Sequence, residues 1–223
     1  PGEGWGGGNI NGASGSSLTV PISTPYPYNG TDAPPVKFHA KSLSNSDANY
    51  TGVGNHHLRW EIGSGNVLIY DEIFIGYRQT IINEEIAVTN LSAGSTNAFF
   101  KIIGDQGATT DYQSLNYVSL TYPRATNLNN QTYADFTVDD HASQAKNRYD
   151  LSNANLTNPR CFVFGGLIAR SVPMVENGST WQVLIPNSGN GIKQRVIIAS
   201  ETEVKEITQL SPVTGNGYFT PFN

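Results

Sequence analysis

Asp111-Tyr112-Gln113-Ser114-Leu115-Asn116-Tyr117-Val118-Ser119-Leu120-Thr121-Tyr122-Pro123-Arg124 reads as one long strand that stops at a Pro-Arg corner. Leu115, Tyr117, Ser119 and Thr121 alternate with Asn116, Val118, Leu120 and Tyr122, so each set takes one face of a sheet, and the second face is the more apolar. Pro123 ends the ladder because it has no N–H to donate.

The same period of two recurs on both sides of this strand. Val36, Phe38 and Ala40 alternate with Lys37, His39 and Lys41, and Leu58, Trp60 and Ile62 alternate with His57, Arg59 and Glu61, the pattern of strands with one wet face. Leu18 to Ile22 predicts a further strand. Val67 to Tyr70 and Ile73 to Tyr77 read as two short strands split by Asp71-Glu72, and Gly63-Ser64-Gly65-Asn66 before them supplies a hairpin turn. Strands are also predicted over Ile81 to Val88, Ala98 to Ile103, Tyr133 to Val138, Cys161 to Leu167, Thr180 to Pro186, Ile192 to Ser200 and Val204 to Leu210. No segment carries a convincing long helical period. The expected fold class is all-β, a β-sandwich or jelly roll with few or no helices. Residues 1–35 read as a Gly/Pro-rich N-terminal extension and 36–223 as the sandwich domain, with a candidate sub-boundary at 125–132, where the chain turns polar and Asn-rich.

Composition narrows the function. Only 14% of the residues are charged, while Gly and Asn are abundant, a surface common in exported β-proteins. The 13 Lys and Arg are scattered through a chain of net charge −5, so no stripe is available to neutralise phosphates, and nucleic-acid binding is not expected. The one cysteine, Cys161, allows neither an intrachain disulfide nor a Cys-based zinc site. No apolar run is long enough for a membrane helix, so no transmembrane segment is expected. The chain begins at Pro1 without a Met, which suggests an excised or processed segment.

Gly2-Glu3-Gly4-Trp5, His56-His57-Leu58-Arg59-Trp60-Glu61-Ile62 and Tyr122-Pro123-Arg124, in that order with a Gly76-Tyr77 hairpin segment and a Gly104-Asp105 turn between them, resemble the non-catalytic β-domain upstream of the protease domain in gingipain-like cysteine peptidases. The nearest variety is the signal-peptidase or sortase subunit of the type IX secretion system. The resemblance spans residues 2–124. It implies a galactose-binding-like β-sandwich placed between an export leader and a caspase-like catalytic domain. The chain itself would then carry no catalytic residue and no cofactor, and its partner would be the downstream catalytic domain. Secretion-system outer-membrane proteins or glycans are the other implied partners, and the implied location is secreted, at the cell surface or associated with the outer membrane. Trp5 is expected to pack on the sheet and Arg124 to bond carbonyls at a strand end. Arg148 to Asn153 stands where relatives carry a short turn, and departs from it at Leu151-Ser152.

The residues that could carry chemistry also have plainer readings. Cys161 opens Cys-Phe-Val-Phe, where alternation sends it inward with Val163, and an unassisted thiol among apolar neighbours is a poor nucleophile. His39, His56, His57 and His141 are the available bases. His56 and His57 are adjacent on a strand and point to opposite faces, so they cannot close on one ion. Calcium is the cation the sequence best accommodates: Asp105 with Asp111, and Asp139 with Asp140, lie in polar loops, though neither pair follows an ordered calcium-loop pattern. Glu84 and Glu85 face apart, which does not suit a glycosidase acid pair. A carbohydrate-binding or adhesive module is the alternative function, and a small hydrolase ranks behind both. Trp60 and Trp181 alternate with apolar residues and read as core, leaving Trp5, Tyr26 and Tyr28 as aromatic candidates for an exposed platform.

Overall fold

The alternating runs become antiparallel sheets. A computed structural model describes residues 9–12, 14–45, 54–165 and 168–205. The chain divides into two compact units, Pro1–Ala125 and Thr126–Asn223.

In the first unit, β1 (Asn9–Asn11), β2 (Ser16–Thr24), β3 (Val36–Ser44), β4 (His56–Ile62), β5 (Val67–Phe74), β6 (Gln79–Ile86), β7 (Gly94–Ile102) and β8 (Tyr112–Thr121) form two four-stranded sheets, ordered β1-β8-β3-β6 and β2-β7-β4-β5. Their alternate residues fill one core: Val36, Phe38, Ala40, Leu58, Trp60, Ile62, Ala98, Phe100 and Ile102 are all buried. Trp60 sits between Phe38 and Phe100, with ring centroids 5.3 and 5.0 Å away. Fully burying each large side chain of this set is worth about 1.5–3 kcal/mol.

The long strand β8 packs Val118 and Leu120 inward, as its pattern predicts. Leu115 packs inward too, because the β3 register slips from Lys41↔Tyr117 to Ser42↔Leu115, and a bulge turns the other face over. Asp71-Glu72 does not split the next pair of runs. Val67–Phe74 is one strand, with Asp71 neutralised by Arg59 and Glu72 by Arg78. At the β4–β5 turn Gly63 adopts φ +73, and a Cβ there would lie 2.5 Å from the Asn90 carbonyl oxygen, so only glycine fits. The segment read as an N-terminal extension belongs in part to the sandwich. Residues 9–11 pair with β8, and residues 16–24 pair with β7 from Ser16↔Ile102 to Thr24↔Gly94. Trp5, with the rest of Gly2–Trp5, lies outside the described residues.

In the second unit, β9 (Tyr133–Val138), β10 (Lys146–Leu151), β11 (Arg160–Gly165), β12 (Ile168–Val172), β13 (Met174–Asn177), β14 (Thr180–Pro186) and β15 (Gln194–Ala199) form sheets ordered β10-β14-β13 and β12-β11-β15-β9. Leu151, Cys161, Val163, Val183, Ile185, Val196 and Ile198 form the core between them. Three of these strands escape the sequence pattern. In β10 the inward positions are Asn147, Tyr149 and Leu151, too mixed to read as an apolar face, and the segment looks like a turn. The strands β12 and β13 are short. The strand expected over Val204 to Leu210 is not formed at its start, where Val204 follows a single 3-10 turn, Glu201–Glu203, and positions 206–210 lie outside the described residues.

Candidate functional site: two adjacent histidines and their carboxylates

Because β4 sends neighbours to opposite faces, His56 and His57 serve two separate networks. His56 is fully buried: its Nδ1 is 2.7 Å from Asp111 Oδ1, its Nε2 is 2.9 Å from the Asn45 carbonyl oxygen, and its ring lies 5.0 Å from that of Phe74. Both nitrogens thus face oxygen atoms, one of a carboxylate and one of a backbone carbonyl. Gln113 Nε2 donates to the same Asp111 oxygen at 3.2 Å.

His57 lies between two carboxylates. Nδ1 is 2.9 and 3.0 Å from the oxygens of Asp105, and Nε2 is 2.5 Å from Asp71 Oδ1. The other Asp71 oxygen accepts from Arg59, at 2.8 Å from Nη2 and 3.2 Å from Nε. Burial of the ring works against charge on His57, but Asp105 and Asp71 more than offset it, and the imidazole is raised above its ordinary value. Burial likewise opposes charge on Asp71, yet Arg59 and His57 hold its carboxyl below the usual range. Gln106 and then His57 do the same for Asp105. The chain Arg59–Asp71–His57–Asp105 thus ties β4 to β5 and to the turn after β7. On the same face Lys101 pairs with Glu61. On the other face of β5, Arg78 and Tyr70 both bond Glu72, and burial with Glu72 next to it pushes the Tyr70 hydroxyl up to about 12.

Each ring nitrogen of His56 and His57 thus lies within bonding distance of an oxygen atom. The bonds join β4 to β5 and to the segments before β4 and between β7 and β8. Among the described residues, no group of three or more His, Cys, Asp or Glu side chains is arranged to hold a metal ion. Asp105 and Asp111, candidates for calcium from their loop positions, go to different histidines. Asp139 is exposed and pairs with Lys193 at 3.0 Å. Asp140 accepts from the Ser188, Asn190 and Gly191 backbone N–H groups at 2.6, 2.9 and 3.1 Å, and from Gln194 Nε2 at 3.1 Å. Donors therefore crowd this carboxylate, which organises the β14–β15 loop.

Cys161 is fully buried in the second core, and burial pushes its thiol up to about 11. His141 Nδ1 accepts from the backbone N–H groups of Ser143 and Gln144, each at 3.1 Å, in an exposed loop. His39 Nε2 lies 2.9 Å from the Tyr117 hydroxyl. Trp60 is buried and Trp181 half-buried, as their alternation predicts. Tyr26 is half-buried with the Arg124 guanidinium 5.9 Å from its ring, and Tyr28 is exposed and donates to Asp32 at 2.7 Å. Glu85 stands opposite Lys37 and Glu84 opposite Phe38, on different faces of the sheet. What sequence reasoning missed is the partnership of Arg59 and His57 with Asp71. The signal was there in the polar face His57, Arg59, Glu61, but its partner follows only from the Arg59↔Asp71 register.

No protein-family model and no curated protein matches the chain. Among solved structures it is similar to dimeric latent PorU from Porphyromonas gingivalis, with a TM-score of 0.54 and 12% sequence identity, over 88% of this chain and 19% of that one. The chain thus spans about a fifth of the length of this neighbour, and at that identity the likeness is one of fold.

Proposed function

We propose that this chain is a non-catalytic β-domain that precedes and supports the catalytic domain of a gingipain-like cysteine peptidase, in a secretion and processing context at the cell surface. The observation that carries this reading is the likeness to PorU, which extends over 88% of the chain and so takes in strands of both units rather than one generic sandwich. The sequence resemblance of residues 2–124 to the upstream domain of that peptidase family points the same way. The internal chemistry is in keeping with support: the thiol is buried, and the adjacent histidines are spent on carboxylates. In this reading the partner is the catalytic domain of the same polypeptide, and the protein is secreted or outer-membrane associated. Among the described residues no helix is long and apolar enough to cross a membrane. Reading the gene past the codon for Asn223 tests the proposal. A caspase-like α/β segment with a paired Cys and His is the expected result, and a further sandwich or a repeat array in its place refutes it.

A further inference from the structure

The two sheets of the first unit treat their outer faces in opposite ways. On β4 and its neighbours the outward charges are consumed, Arg59 and His57 by Asp71 and Lys101 by Glu61. On the sheet β1-β8-β3-β6, two cross-strand rows, Glu85–Lys37–Thr121 and Asn83–His39–Ser119, surround a depression of about 380 Å³ whose lining also includes Phe38 and Glu84. Apart from His39, none of these side chains makes a hydrogen bond or ion pair with another described residue. The hollow exists because β8 offers only Ser119 and Thr121 there, between longer side chains. Tyr117, two residues along on the same face and 41% exposed, borders it, its ring edge-on to His39 at 5.1 Å.

We infer that this depression binds a short, uncharged stretch of oligosaccharide. Neighbouring strands lie ~4.8 Å apart and alternate residues ~7 Å apart, so the two rows form a patch of about 10 by 7 Å, the footprint of one or two sugar rings. Lys37 supplies donors, Glu85 acceptors, and Asn83, Ser119 and Thr121 both, a mixture matched to ring hydroxyls, which are donors and acceptors at once. Lys37 stands against Glu85 across from it and Glu84 beside it, so neither a phosphate nor a sulfated chain is selected. An apolar protein partner is not selected either, since the one apolar residue of the lining, Phe38, is buried in the core and offers no exposed anchor. The hollow is open to solvent. The site stands apart from the peptidase reading.

The test is a titration of the ¹⁵N-labelled full chain, followed by its amide resonances, with maltoheptaose, chitohexaose and xylohexaose, and with a heparin fragment as the charged control. The inference expects at least one neutral probe to shift Lys37, His39, Asn83, Ser119 and Thr121 saturably. It expects Ser119→Arg, which fills the hollow from an exposed position, to weaken that binding tenfold or more, and Thr121→Arg to do the same. Absence of shifts at these residues with all three neutral probes overturns it. So do shifts confined to other faces, preferential binding of the heparin fragment, or unchanged binding in both folded arginine variants.

Discussion

Asp111→Ala removes the carboxylate bonded to a ring that is itself fully buried, while leaving the ring in place. Asp111 is 2% exposed and His56 0%, and the Nδ1–Oδ1 distance of 2.7 Å is that of a charge-assisted bond. Breaking one side of such a pair costs about 3–5 kcal/mol, because the surviving partner is left without compensation. Gln113 loses its acceptor as well, which favours the upper part of that range. For a unit of this size the loss corresponds to a fall in Tm of roughly 10–20 °C. Urea denaturation followed by circular dichroism measures it, and the midpoint is expected to fall with little change in slope. The informative control is His56→Leu combined with Asp111→Leu, which removes both polar partners at similar volume and is expected to recover most of the loss. An Asp111→Ala chain within about 1 kcal/mol of the parent refutes the reasoning, since a pair that can be broken so cheaply does not hold the β7–β8 connection to β4.

Two further outcomes follow from the same physics. The raised His57 contributes stability fully below its ordinary 6.5 and loses it as pH climbs through the raised value, whereas the lowered Asp71 and Asp105 contribute above 3.8 and lose it as pH falls through their depressed values. The network is therefore strongest at mildly acidic pH. After discounting for the half-exposed Asp105 it is worth about 1 kcal/mol or less, so the deficit of His57→Gln is expected to be larger at pH 5.5 than at pH 8.5, and equal deficits in the two urea titrations count against the assignment. Cys161, fully buried and with its thiol pushed up to about 11, is expected to resist iodoacetamide in the native chain and to react once urea unfolds it; fast labelling of native protein contradicts its place in the core.

The fold class and most of the strands were legible because one face of each strand is apolar and the other wet, as in Val36, Phe38, Ala40 and Leu58, Trp60, Ile62. The inward fate of Cys161 and Trp60 followed from the same alternation. What stayed hidden depends on register. The bulge that turns Leu115 inward is set by β3, and the charges of Asp71 and Glu72, which look like a break between two strands, are absorbed by Arg59 on the neighbouring strand and Arg78 in the following turn. The loop carboxylates point to the same limit. Asp105, Asp111 and Asp140 read as possible cation ligands from their polar surroundings, and it is three-dimensional neighbours distant in sequence, two histidines and a shell of N–H groups, that occupy them.

In the proposed function this chain supports a peptidase without taking part in its chemistry. Peptide hydrolysis by the parent protein carrying Cys161→Ala measures this directly. The expected result is a kcat/KM equal to that of the unaltered parent, with full loss only when the cysteine of the proposed downstream domain is replaced. Abolition of turnover by Cys161→Ala, in a protein that remains folded, would contradict it.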